Sequence, residues 1–297
     1  MKMRIIFSAI LALAFTSELA IAQGLTKPAD ETLNPIIEEL GIPMQDPALI
    51  TQVLGLQSKP RGACDRARFA PSVTGVALET NCGIDLALHY SRAKESTAQI
   101  FVRTRGTVLF GTAFKICHDV SKQCFYASSL HVAEVEDYVG LVASDNQSVQ
   151  YTKVLGRNKA KDVVLLAVPS GDTRPAFKIG ARPKLNDPVF LVGHPLGFPG
   201  DVITAGQVAF EKAKASAKLP QDGSILTIDD LFVIDAYVLE GNSGGPAVNA
   251  AGEVVGIDCM AFNAQPTLPN GGAVIVPIEE AVNLMNDVVA SQVVPTK

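Results

Sequence analysis

From about residue 95 onward the chain is built of short apolar or alternating runs divided by Gly, Pro, Asn and Asp. The runs are Gln99–Arg103, Thr107–Ile116, Ser148–Leu155, Val163–Val168, Pro188–Val192, Val202–Phe210, Leu231–Val238, Glu253–Met260 and Ala273–Val276. Several begin within about 8 to 20 residues of the one before, too close together for a crossover helix between each pair. That spacing favours an antiparallel sandwich or barrel over a βαβ array. One helix is expected to close the chain. Pro277 stands near its start, Glu279 and Glu280 favour its positive end, and Ile278, Ala281, Val282, Met285, Val288 and Val289 recur on one face. Glu211 to Ser224, with its charges, Pro220 and Gly223, reads as a long exposed loop.

The beginning of the chain has a different character. Met1 to Arg4 is cationic, Ile5 to Ile21 is largely apolar, and Ala20-Ile21-Ala22 is a small-x-small cleavage pattern. Ser8, Thr16, Ser17 and Glu18 interrupt the run, so it reads as a secretory signal cleaved after Ala22 rather than as a span. The expected location is therefore periplasmic or secreted. Residues 23–94 form an N-terminal extension of undisclosed role, with Thr32 to Leu40 and Pro47 to Leu56 reading as short helices. Residues 95–297 are expected to form one β-rich domain. Loss of Lys2, Arg4 and Glu18 takes the formal charge from −5 to −6, which argues against nucleic acid or an anionic membrane as partner.

Export also bears on the five cysteines. Cys117 and Cys124 bracket a polar stretch between apolar runs and are expected to staple a hairpin. Cys64 and Cys82 are the natural second pair, which leaves Cys259 as a buried thiol in a strand-like run. No Cys-x-x-Cys or His-x-x-x-His spacing suggests a structural metal, and no cofactor is expected.

The sharpest local signal is Gly241-Asn-Ser-Gly-Gly-Pro246. Acyl transfer needs a hydroxyl on a tight turn, with backbone N–H groups aimed at the developing oxyanion. Ser243 would be that hydroxyl, and the amides of Gly241 and Ser243 those donors. A serine needs a base. The candidates are His89, His118, His131 and His194, of which His131 ends the strand-like stretch from Phe125. His118 lies at a polar hairpin tip, His194 in a turn and His89 in the extension. The base needs an acceptor to fix its tautomer. Asp162, at the edge of the apolar run to Val168, is better placed for burial than Asp137 or Asp145 in polar surroundings.

The order His131, Asp162, Ser243, with separations of 31 and 81 residues, resembles the trypsin-like serine proteases, and within them the bacterial HtrA/Deg-type branch. Gly111-Thr-Ala-Phe114, Ala127-Ser-Ser-Leu-His-Val132, Asp162 to Val168, Val192-Gly-His-Pro-Leu-Gly197, Thr204-Ala-Gly-Gln-Val208 and Gly241 to Gly256 are similar, in order, to motifs of that branch. The resemblance spans roughly residues 97–290. It implies an all-β fold of two six-stranded antiparallel barrels with the active site between them, a C-terminal helix and a partly helical N-terminal extension. It also implies His131 as general base, Asp162 as its orienter and Ser243 as nucleophile. The chain departs from the branch in carrying no PDZ module after the terminal helix, which puts trimeric assembly in doubt and leaves the oligomeric state open.

By the same resemblance Tyr237 lies at the base of the primary pocket and Asp258 near its wall. An inward Asp258 would favour a cationic side chain and an outward one an apolar side chain; an apolar preference is expected. The expected function is endoproteolysis of protein or peptide substrates through an acyl-enzyme. A catalytically silent, protease-like binding protein is the alternative, and an esterase or acyltransferase with the same triad ranks last because no strand–elbow–helix context is present.

Overall fold

The computed structural model describes residues 93–103, 108–133, 138–142, 149–194, 202–218, 223–236, 238, 240–262 and 272–293. The expected signal at residues 1–22, nearly all of residues 23–94, Cys64, Cys82, His89, Asp137, Asp145 and Tyr237 lie outside them.

Among the described residues, twelve strands form two antiparallel sheets. The first contains β1 (Thr97–Arg103), β2 (Val108–Cys117), β3 (Cys124–Ser129), β4 (Tyr138–Val142), β5 (Val149–Asn158) and β6 (Val163–Ala167). It closes into a barrel in the order β1-β2-β3-β6-β5-β4. The second contains β7 (Pro188–Gly193), β8 (Val202–Lys218), β9 (Ile225–Ile234), β10 (Pro246–Asn249), β11 (Val254–Phe262) and β12 (Gly272–Pro277). It also closes on itself as a ring, in the order β10-β11-β12-β9-β8-β7, with β7 paired to β10. A single helical turn, α1 (Leu130–Ala133), follows β3, and α2 (Ile278–Val293) follows β12 directly.

Closure gives every strand of each ring two neighbours, and it explains the apolar runs. In β3, Tyr126 joins Ile100, Leu141, Val164 and Leu166 inside the first barrel. Its neighbours Phe125 and Ala127 instead join Val163, Leu165, Phe190, Val192, Ile257 and Val276 in a cluster that spans both sheets. A strand buried on both faces loses its hydrophobic–polar alternation, which is why Val163 to Ala167 reads as continuously apolar. A third cluster, including Val189, Leu191, Phe232, Ile234, Ala247, Val255 and Ile275, fills the second sheet. Helix α2 lays Ile278, Ala281, Leu284, Met285 and Val288 on the seam, packing against β5, β6 and β11. Val282 and Val289 are only partly buried there.

The expected loop from Glu211 to Ser224 is corrected: β8 continues to Lys218 and pairs with β9 as far as Lys218–Ile225. Ala215 is buried and Ala213 and Ala217 partly so, while Lys212, Lys214 and Ser216 face water. The charges are the solvent face of a two-stranded ribbon, and small alanines on the other face weaken the period-2 signal. Two short strands had no separate signal. β4 is only five residues long, and β10 sits inside the glycine-rich motif.

Cys117 and Cys124 face each other across the β2–β3 hairpin and are disulfide-bonded. Because they close a loop of only seven residues, Cys117→Ser with Cys124→Ser is expected to cost about 2 kcal/mol of stability. Urea unfolding of oxidised protein checks the loss, and non-reducing peptide mapping checks the bond.

Candidate active site

His131 lies in α1, where buried Leu130, Val132 and Ala133 fix the turn and leave its own side chain partly exposed. Asp162, at the entrance to β6, is 2% exposed and has a φ of 56°. Aspartate tolerates this left-handed conformation better than most residues. Its Oδ1 accepts the His131 backbone N–H at 2.7 Å, and its Oδ2 lies 2.6 Å from His131 Nδ1. A carboxylate can only accept, so Nδ1 carries the proton and Nε2 is left as the basic nitrogen. The Asp162 carbonyl also accepts the Leu130 N–H at 3.0 Å, so the two segments are joined by main chain as well as side chain.

The Oδ2 atom has a further donor, the thiol of Cys259, at 3.1 Å. Burial, with the Asp162 carboxylate beside it, pushes the Cys259 thiol well above its ordinary pKa and keeps it an S–H donor at neutral pH. The sequence identified Cys259 as buried and unbridged but gave no sign of this contact, since 97 residues separate the two.

The Ser243 turn is held by β2 and β11. Gly241 and Gly244 have φ values of 96° and 86°, a region that favours glycine. The Thr112 N–H donates to the Ser243 carbonyl at 2.9 Å, and the Thr112 hydroxyl donates to the Gly241 carbonyl at 2.9 Å. That same hydroxyl accepts the His194 N–H at 2.9 Å. Thr112 therefore clasps the turn from both sides. Its hydroxyl was the only sequence signal of this role. His194 is fully buried at the end of β7, and His118 at the hairpin tip bonds Ser121 and Asn286.

One carbonyl joins the two halves of the site. Asp258 O accepts the Gly244 N–H at 2.7 Å and the Ser129 hydroxyl at 3.0 Å, the latter two residues before His131. Asp258 N–H donates in turn to Gly245 O at 2.9 Å, and the next residue, Cys259, reaches Asp162. His131, Asp162 and Ser243 thus converge on one seam between the sheets.

The Asp258 side chain turns away from that seam. It pairs across the sheet with Ile275, on the face of the second-sheet cluster, and is 1% exposed. Neither carboxylate oxygen has a hydrogen-bond partner among the described residues. Burial pushes its pKa from 3.8 up to about 8. Between those values the folded state holds a proton that the unfolded state has released, so stability falls as pH rises from about 4 to about 8 and is level above. By pH 7 the loss is on the order of 4 kcal/mol. Asp258→Asn is expected to remove this slope and raise Tm at pH 7 more than at pH 4, as thermal unfolding across that range will show.

A trypsin-like peptidase domain family matches residues 112–257. The probable periplasmic serine endoprotease DegP-like of Pseudomonas savastanoi pv. phaseolicola is 31% identical over 191 residues, covering 64% of this chain. The match takes in 36% of that relative, so the chain spans about a third of its length. The active form of the Rv3671c protease from M. tuberculosis aligns with TM-score 0.55 at 21% identity, covering 77% of this chain and 92% of that one. The HtrA-type protease AlgW with a tripeptide aligns with TM-score 0.53 at 22% identity, over 68% of this chain and 62% of that one. At such identities the structural likeness speaks for the fold, and it agrees with the two closed sheets. Residues 112–257 therefore match the trypsin-like peptidase domain family, and the chain is similar in sequence to DegP-like serine endoproteases and in fold to an HtrA-type protease.

Proposed function

We propose that this chain is a serine endopeptidase that hydrolyses protein or peptide substrates through an acyl-enzyme. The observation that carries this reading is the double contact of Asp162 with the amide and ring of His131, at the seam to which the Ser243 turn is tied. In the proposed cycle His131 Nε2 takes the Ser243 hydroxyl proton as the oxygen attacks the scissile carbonyl. Asp162 holds the ring in the required tautomer and stabilises the imidazolium. The proton then passes to the leaving amine, and a water molecule, activated by the same base, releases the acyl group.

Backbone bonding supports the amides of Gly241 and Ser243 as the oxyanion donors. Gly244 and Gly245 N–H groups are committed to Asp258 and Asn242 carbonyls, whereas those of Gly241 and Ser243 have no acceptor among the described residues. Two such donors on a clamped turn need little reorganisation when charge develops. The primary pocket is proposed to take a small or medium apolar side chain. Asp258 is enclosed beside Ile275 rather than offered to solvent.

The leader-like start and the periplasmic character named for the Pseudomonas relative support a periplasmic or secreted setting. Among the described residues no helix is long and apolar enough to cross a membrane. Incubating purified protein with a peptide library and sequencing the products by mass spectrometry tests the proposal. Internal cleavage after apolar residues is expected. Cleavage confined to basic residues would overturn the pocket assignment, and no cleavage by folded protein would overturn the endopeptidase.

A further inference from the structure

His131 Nδ1, a carboxylate oxygen of Asp162 and Cys259 Sγ lie within 4.8 Å of one another. We propose that these three side chains form an inhibitory site for a zinc-class divalent cation, whose binding switches the protease off. The inference rests on the catalytic reading of His131 and Ser243 given above.

The donor set selects the metal. A thiolate, an imidazole and one carboxylate form the borderline-soft set that suits zinc, cobalt or cadmium, while magnesium and calcium want oxygen ligands in greater number. Water would complete a tetrahedron. The charges also match, because an aspartate and a cysteine thiolate together neutralise a dication, which matters where Asp162 and Cys259 are 2% and 3% exposed.

The geometry needs a small adjustment. Nδ1 and Oδ2 stand 2.6 Å apart, and Sγ and Oδ2 3.1 Å, because hydrogens lie between them. Metal bonds of about 2.0–2.3 Å ask for separations of about 3.3–3.6 Å. His131 can move back to give this room, since it stands at the partly exposed edge of a single helical turn. Asp162 stands buried at the entrance to β6 and Cys259 buried in β11 behind it, so only a few tenths of an ångström between these two must also open.

Binding is a proton exchange. The cation displaces the Cys259 thiol proton to solvent and forms a bond to sulfur. The ring proton leaves Nδ1 and is carried on Nε2, so the imidazole remains neutral. Nε2 then has no lone pair to accept the Ser243 proton. Inhibition follows from the change of tautomer, without any block of the substrate cleft.

The test is titration of the purified full chain with Co²⁺, followed by competition with Zn²⁺. A thiolate-to-cobalt charge-transfer band in the near ultraviolet is expected, removed by Zn²⁺ and missing from Cys259→Ser, which keeps Cys64 and Cys82. In parallel, Zn²⁺ is expected to suppress fluorophosphonate labelling of Ser243. Cys259→Ser and Cys259→Ala, each compared with its own metal-free rate, should need about tenfold more Zn²⁺ or higher, since loss of even an outer-shell partner costs about 10–100-fold. A labelled wild type with no cobalt band, or with unchanged zinc sensitivity in both variants, overturns the metal site and leaves the protease reading intact. A Cys259-dependent cobalt band in a chain that is unlabelled without metal overturns the protease reading instead.

Discussion

Ser243→Ala is expected to lower kcat for peptide hydrolysis by about 10⁶-fold, and His131→Ala by a similar factor, because nucleophile and base act as one unit. The double variant should be scarcely worse than either alone. Asp162→Asn is expected to cost about 10⁴-fold for a different reason. The amide retains an oxygen for the His131 N–H, but its NH₂ faces Nδ1 and would place the ring proton on Nε2. Ser243 contributes to the fold through its carbonyl, which accepts the Thr112 N–H, so alanine should leave the structure intact. Steady-state rates beside a near-ultraviolet circular dichroism spectrum separate lost chemistry from lost folding.

Gly244→Ala carries the largest expected loss of stability. Its φ of 86° already disfavours a side chain, and an added Cβ would run into the Ser128 hydroxyl, the Thr112 carbonyl and the Ser129 amide. Those atoms belong to β2 and β3, and Ser128 and Thr112 are hydrogen-bonded to one another. No flexible tip is available to give way. Backbone strain and overpacking together should cost about 4 kcal/mol, or roughly 10 °C in Tm for a domain of this size. Gly171 provides the control, with a φ of 81° and nothing within 4 Å of an added Cβ. Gly171→Ala should cost only about 1 kcal/mol. Equal losses at the two positions in thermal unfolding would mean that contact with β2 and β3 is unimportant.

The sequence and the structure agree most where two signals coincide. The glycine-rich turn around Ser243 and the apolar run behind Asp162 were both readable, because glycine at positive φ and a doubly buried strand leave distinct compositions. The ordering of His131, Asp162 and Ser243 then followed from resemblance rather than from any local pattern. The β8–β9 ribbon was misread because Lys212, Lys214 and Ser216 alternate with alanines, whose small apolar surface hardly registers as a buried face.

The connections inside the site were harder to read. Thr112 clasps Gly241 and Ser243 across some 130 residues, and Cys259 reaches Asp162 across 97. Such contacts depend on how two closed sheets dock, and periodicity along one strand carries no information about docking. Asp258 shows the same limit. Its carboxylate is buried beside Ile275, a placement set by the pleat of β11 and the irregularity between Asp258 and Met260.

In the proposed mechanism Ser243 is a nucleophile activated by His131 and Asp162. Reaction of the folded chain with a fluorophosphonate, followed by peptide mapping, tests it most directly. One phosphonyl group per chain is expected, on Ser243, formed at a rate that collapses in His131→Ala and Asp162→Asn. A folded wild-type chain that stays unlabelled, or is labelled elsewhere or equally well without His131, would contradict it.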